Sequence, residues 1–161
     1  MSEFFQSNAS LVVFLHVISA IIWVGGMIAI RFAVHPALQN IEEAKVKMAR
    51  TLEILKNFFS IVIIAVMLII LTAVVMSVGM GFKQGDPTLS MIVHAKEAIW
   101  FIMTVNFVTM IVRRNRAERA FLSGATHEAK EQLAPLAKFM IPTNIVLGII
   151  ALYLGITLRG F

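Results

Sequence analysis

Four long apolar runs govern what this chain can fold into. They cover about residues 11–33, 56–80, 91–113 and 138–158, and each has about the 20 residues that a helix needs to cross a hydrocarbon core roughly 30 Å thick. In such a core every backbone N–H and C=O must find its partner inside its own segment, which a helix achieves and a lone strand does not. The expected fold is therefore all-α, an integral membrane four-helix up-and-down bundle forming one domain over residues 1–161. Apolar residues make up 59% of the chain and charged ones 14%, more grease than a water-soluble domain of this size can bury.

The flanks of the runs carry the topology. The residues before Leu11 lack the basic region of a secretory signal, so the first run is expected to stay as a membrane helix. Of 14 Lys and Arg, eleven lie in two connections: Arg31, Lys45, Lys47, Arg50 and Lys56 after the first span, and Arg113, Arg114, Arg116, Arg119, Lys130 and Lys138 after the third. Lys83 and Arg159 lie on the other side, and Lys96 inside the third span. The positive-inside rule then predicts a multi-pass protein of the cytoplasmic membrane with both termini outside. The basic residues flank apolar spans and lack interleaved base-stacking aromatics, so nucleic acid is not the expected partner; membrane lipid is. A homo-oligomer is compatible with the sequence.

Both basic connections read as helical extensions into the cytoplasm. Leu38, Ile41, Met48, Leu52, Leu55 and Phe59 recur at helical spacing, so the second helix is expected to begin in the cytoplasm. Arg113 to Leu122 prolongs the third helix until Ser123-Gly124 breaks it, and Thr126 reads as the N-cap of a short helix reaching Pro135. The second run ends near Val78, Gly79, Met80 and Gly81. Pro142 is expected in the first turn of the fourth helix, where a missing N–H costs little.

Chemistry has few carriers here. Cys is absent, which removes disulfides, thiolate metal sites, iron–sulfur clusters and a Cys nucleophile. No phosphate-binding glycine loop, nucleophile elbow or His-Glu-x-x-His motif is present. His16 lies five residues into the first span and His94 three residues into the third. Odd-numbered spans run in the same direction, so the two imidazoles should sit within about one helical turn of the same depth. Two neutral imidazoles at one level match the axial needs of haem iron, and the expected cofactor is haem b, with His16 and His94 as metal ligands and Trp23 packed against the ring. Either histidine alone also fits a simple interhelical hydrogen bond. Lys96 would neutralise a propionate and Glu97 would handle protons or orient an imidazole, although an interfacial Lys beside a solvated Glu reads equally well. Met76, Met80, Met91 and His94 supply a competing copper(I) site, soft thioethers with an imidazole, against the commoner use of Met as an apolar filler. His35 and His127 read as solvated, and Asn106 and Asn144 as glue between helices.

The first span, Leu15-His16-Val17-Ile18-Ser19-Ala20-Ile21-Ile22-Trp23-Val24-Gly25-Gly26 with Arg31 beyond, resembles the first helix of the HemJ-type protoporphyrinogen oxidases and the related CopD-like membrane proteins. His94-Ala95-Lys96 is similar to their His-x-Lys element, and Phe139-Met140-Ile141-Pro142-Thr143 to their Phe-Asn-Glu-Val-Pro segment. The resemblance implies a four-helix membrane protein binding b-type haem. It implies His16 as an axial ligand, Lys96 as a functional residue, and a redox activity passing electrons from a porphyrinogen or another donor, with quinone as an acceptor. Two positions depart from the pattern. Met140-Ile141 replaces Asn-Glu, and Asn106-Phe107 stands where HemJ-type proteins carry another His. A cofactor-free accessory subunit and a CopD-like copper-handling protein are the alternative readings.

Overall fold

The computed structural model describes residues 2–79 and 87–157, with side chains from residue 5 onward. Four helical runs fill this stretch: α1 (residues 2–39), α2 (Ala44–Gly79), α3 (Pro87–Leu122) and α4 (Thr126–Thr157). All four contain a window apolar enough to cross a membrane, and no strand occurs among the described residues. The chain is an all-α four-helix bundle and reads as a multi-pass membrane protein. At about 1.5 Å per residue the 36 residues of α2, and the same number in α3, exceed a roughly 30 Å hydrocarbon core, so both continue well past it into the basic region.

The connections follow from local chemistry. Gly124 takes φ +84°, a left-handed conformation that side chains resist, and it turns the chain between α3 and α4. Thr126 is the first helical residue rather than the cap: Ala125 holds the capping position and no side chain caps it. α4 then runs unbroken through Pro135 and Pro142, so Pro142 lies inside a helix and not at its start. A proline removes one N–H and crowds the carbonyl four residues earlier. The chain absorbs this with a wide π turn, Leu136–Met140, immediately before Ile141-Pro142. Pro36 is preceded in the same way by the π turn Ile30–Val34. A further π turn, Ile21–Gly25, holds the Trp23 segment of α1.

The apolar core sits toward the basic end. Trp23, Val24 and Met27 of α1 meet Phe59, Val62 and Val66 of α2, Met103, Phe107 and Met110 of α3, and Ile141 and Ile145 of α4. Phe107 is the hub, with ring centroids 5.8 Å from Trp23 and 5.3 Å, edge to face, from Phe59. Gly148 lets α1 and α4 approach closely, because a Cβ there would stand 2.5 Å from Val24 Cγ2 and 3.4 Å from Met103 Cε. Asn106 and Asn144 join α3 to α4. Asn106 Nδ2 donates to Asn144 Oδ1 and to Met140 O, both at 2.8 Å, and Asn144 Nδ2 donates to Met103 O at 3.2 Å. Beyond the apolar core, buried Arg114 clamps the two long helices. Its guanidinium donates to Leu52 O of α2 at 3.0 and 3.3 Å and pairs in a fork with Glu118 at 2.6 and 2.9 Å.

At the other end α1 and α4 part among the described residues. Ser2–Ala20 packs principally on α2, and the main packing of α1 on α4 is confined to the Ile21–Gly25 and Gly26–Ala29 segments. The half nearest the chain termini is therefore splayed between α1 and α4, and the largest apolar cluster does not reach into its upper part.

Candidate functional site at the splayed end

The contact of Val24, Met103 and Gly148 fixes one level across α1, α3 and α4. Counting seven or eight residues toward the termini from each brings His16, Lys96 and Gly155 to a common level, about 11–12 Å higher. The spans imply such a match for His16 and His94; the inward-facing residue of α3 near this level is Lys96. The partner of His16, however, comes from α2.

His16 Nδ1 lies 2.9 Å from Thr72 Oγ1. The Thr72 hydroxyl has a single proton, and it faces Leu68 O at 2.6 Å and Ile69 O at 3.1 Å in its own helix. It must therefore accept from the imidazole, so Nδ1 carries the hydrogen and Nε2 keeps its lone pair. The Ile69 carbonyl also lies close to the ring. Thr72 and the Ile69 carbonyl are the hydrogen-bond partners of the ring among the described residues. An imidazole whose Nδ1 is pinned by a neutral acceptor has the form that metal ligation requires.

Lys96 approaches from α3. Its Nζ stands 3.1 Å from where a Cβ on Gly155 would be, so the missing side chain of Gly155 is what admits the ammonium to the wall of α4. It makes no hydrogen bond or ion pair among the described residues. Lys96 belongs to the inward stripe of α3, with Val93, Trp100, Met103 and Phe107 at intervals of three and four residues.

His94 does not join this site, and its expected pairing with His16 across a shared interior is corrected. It lies two residues before Lys96, about 200° around the helix, and so points away from the stripe that carries the lysine. Its side chain is exposed and its Nδ1–H donates to Ser90 O at 2.7 Å. Glu97 is also exposed. The copper donors are not gathered. Met91, 68% exposed, shares the outward face with His94; Met76 lies half-buried on α2; and Met80 falls outside the described residues. No cluster of three or more His, Asp or Glu suited to a metal occurs among the described residues.

Trp23 is also placed differently from its expected role against a cofactor ring. It is 2% exposed and packs on Phe107, two turns below His16, where the aromatic cluster closes the floor of the splayed half. Further polar atoms lie at this floor and above it. Ser19 Oγ, Trp23 Nε1, Trp100 Nε1 and Thr104 Oγ1 are buried with no hydrogen-bond partner among the described residues. They lie three and seven residues below His16 and four and eight below Lys96, on the faces continuing those two side chains. Thr72, Trp100 and Thr104 were identifiable from sequence as polar or amphipathic residues within apolar runs, at the depth of or in helical register with His16 and Lys96.

His127, 88% exposed beside Glu131 at 3.7 Å, and half-buried His35 stay in the basic region. No protein-family model, curated protein or solved structure matches this chain.

Proposed function

We propose that this chain is a b-type haem-binding redox protein of the cytoplasmic membrane, with its termini outside and its basic connections in the cytoplasm. The observation that carries the reading is the Thr72-held tautomer of His16, which keeps Nε2 available as an axial donor within a membrane-spanning bundle. The donor set fits the group. Lys96, an ammonium with no hydrogen-bond or ion-pair partner among the described residues, supplies the positive charge that a buried propionate needs. The splay between α1 and α4, with the small residues Ser19 and Gly155 on its walls, lets a flat ligand approach from the bundle's open side.

Haem would supply one-electron chemistry at its iron. The residues of this chain would do the rest: His16 binds, Thr72 orients the ring, Lys96 balances charge, and the Trp23–Phe107–Phe59 cluster keeps water from the cytoplasmic side. Because His94 stands outside the site, the reading has one imidazole ligand rather than two. The resemblance of the first and third helices to HemJ-type proteins extends the proposal to oxidation of a porphyrinogen, with quinone as electron acceptor.

The test is a reduced-minus-oxidised spectrum of detergent-purified protein from haem-replete cells. A Soret band that disappears in His16→Ala and survives in His94→Ala supports the reading. Colourless protein overturns it, and so does a band that depends on His94 alone.

A further inference from the structure

A buried hydroxyl or indole N–H without a partner costs about 1–3 kcal/mol in an ordinary protein interior, and inside a membrane-spanning bundle no bulk water stands nearby to relieve it. Four such atoms, on Ser19, Trp23, Trp100 and Thr104, lie within two turns of one another on the inward faces of α1 and α3. Ser19 is 1% exposed and Trp23 is 2% exposed, so these are not groups that turn to the surface for relief. Ser19 and Trp100 lie in the half of the bundle where α1 parts from α4, and Trp23 and Thr104 lie at its base, about level with the Val24–Met103–Gly148 contact. The amides of Asn106 and Asn144 are satisfied by each other and by backbone carbonyls. A fifth unpartnered buried atom, Gln132 Oε1, stands apart in the basic-side part of α4, and the other four are grouped together. Two indole donors and two hydroxyls call for acceptor oxygens, and the opening supplies a route for them from one side.

We propose that the terminal half of the bundle interior is a water-binding chamber, open to the side bearing the chain termini and sealed from the basic side by Trp23, Phe59 and Phe107. Ser19, Trp23, Trp100 and Thr104 hold the water. Among the described residues the titratable groups at this level are His16 and Lys96, with His94 and Glu97 exposed on the flank of α3. The chamber does not rest on the haem reading: the unpartnered atoms and the splay belong to the polypeptide. Colourless protein with a reactive chamber would remove haem and leave this inference standing.

The absence of Cys from the chain makes the test direct. Ser19→Cys and Thr104→Cys are made singly in the full chain, reconstituted in liposomes of known orientation, and exposed to sulfonatoethyl methanethiosulfonate, an impermeant reagent that attacks hydrated thiolates. Val105→Cys, on the exposed face of α3, and Val62→Cys, in the apolar core, are the dry controls. The two chamber thiols are expected to react at least about tenfold faster than both controls from the terminal side, and no faster than them from the basic side, since thiolates form in water and not in lipid. Rates equal to the controls overturn the chamber, and equal rates from both sides overturn its closure. A measurement on the unsubstituted protein guards against misfolded variants. The chain has just two tryptophans, so its indole nitrogen spectrum has two signals. Both are expected to show cross-peaks to water and early loss in D2O, and indole protons lasting as long as the amides of the apolar core would refute hydration.

Discussion

Replacing Thr72 by Val tests the link between the second helix and the proposed iron ligand. The two side chains have nearly the same shape, so packing is conserved and the hydroxyl alone is lost. The Leu68 and Ile69 carbonyls keep the helical bonds of their own helix, so no acceptor is stranded. The loss falls on His16, whose Nδ1–H gives up a 2.9 Å bond. For stability this amounts to about 1 kcal/mol, the usual scale for a hydrogen bond between membrane helices. For binding it is larger, because the ring is no longer held in one tautomer and one orientation. Removing such an outer partner typically lowers metal-site affinity about 10- to 100-fold, which corresponds to about 1.4–2.7 kcal/mol. Haem titrated into the apoprotein and followed at the Soret band should therefore bind Thr72→Val at least about tenfold more weakly, with Thr72→Ser near the parent value. Thr72→Val binding within twofold of the parent would show that the hydroxyl does not set the ligand, and the argument for His16 would fail with it.

Three further outcomes are expected. Gly148→Val should lower stability in detergent by about 2–3 kcal/mol through overpacking against Val24, and adding Val24→Ala should restore part of the loss; denaturant unfolding of the two single variants and the double measures this. Arg114→Met should cost about 2–3 kcal/mol, below the full price of breaking a buried pair because Glu118 is 37% exposed. Arg114→Lys should recover less than half, since an ammonium cannot form the fork to Glu118 while reaching Leu52 O; thermal unfolding midpoints decide. Asn106→Leu and Asn144→Leu should each cost about 1 kcal/mol, and the double variant less than their sum, because either change already breaks the one bond that the two amides share; a double-mutant cycle reads the coupling directly.

The helices were legible in the sequence because length and apolarity alone satisfy the bilayer, and the depths of His16 and Lys96 follow from counting residues along spans of known direction. Rotation about each helix axis was harder to read. His94 and Lys96, two residues apart, cannot both face inward, and the stripe Val93, Lys96, Trp100, Met103, Phe107 held the information that selects the lysine. The partner of His16 was hidden for another reason: Thr72 is one weakly polar residue in an aliphatic run, and only the approach of α1 to α2 gives its hydroxyl a role. Pro142 misled because proline is ordinarily read as a helix boundary, whereas here a widened turn carries the helix past it.

That widening has a counterpart in α1. A π turn is an α-helix holding one residue too many in a single loop of its spiral. Taking out one residue from an ordinary α-helical turn of α1 would swing everything above it by about 100° relative to everything below. Within Ile21–Gly25 the same deletion would draw the loop back to ordinary pitch and leave His16 and Met27 in their present bearings. The first helix therefore contains a stretch where its length can change by one while its aim does not, and sequences differing by one residue there are expected to keep the same seam.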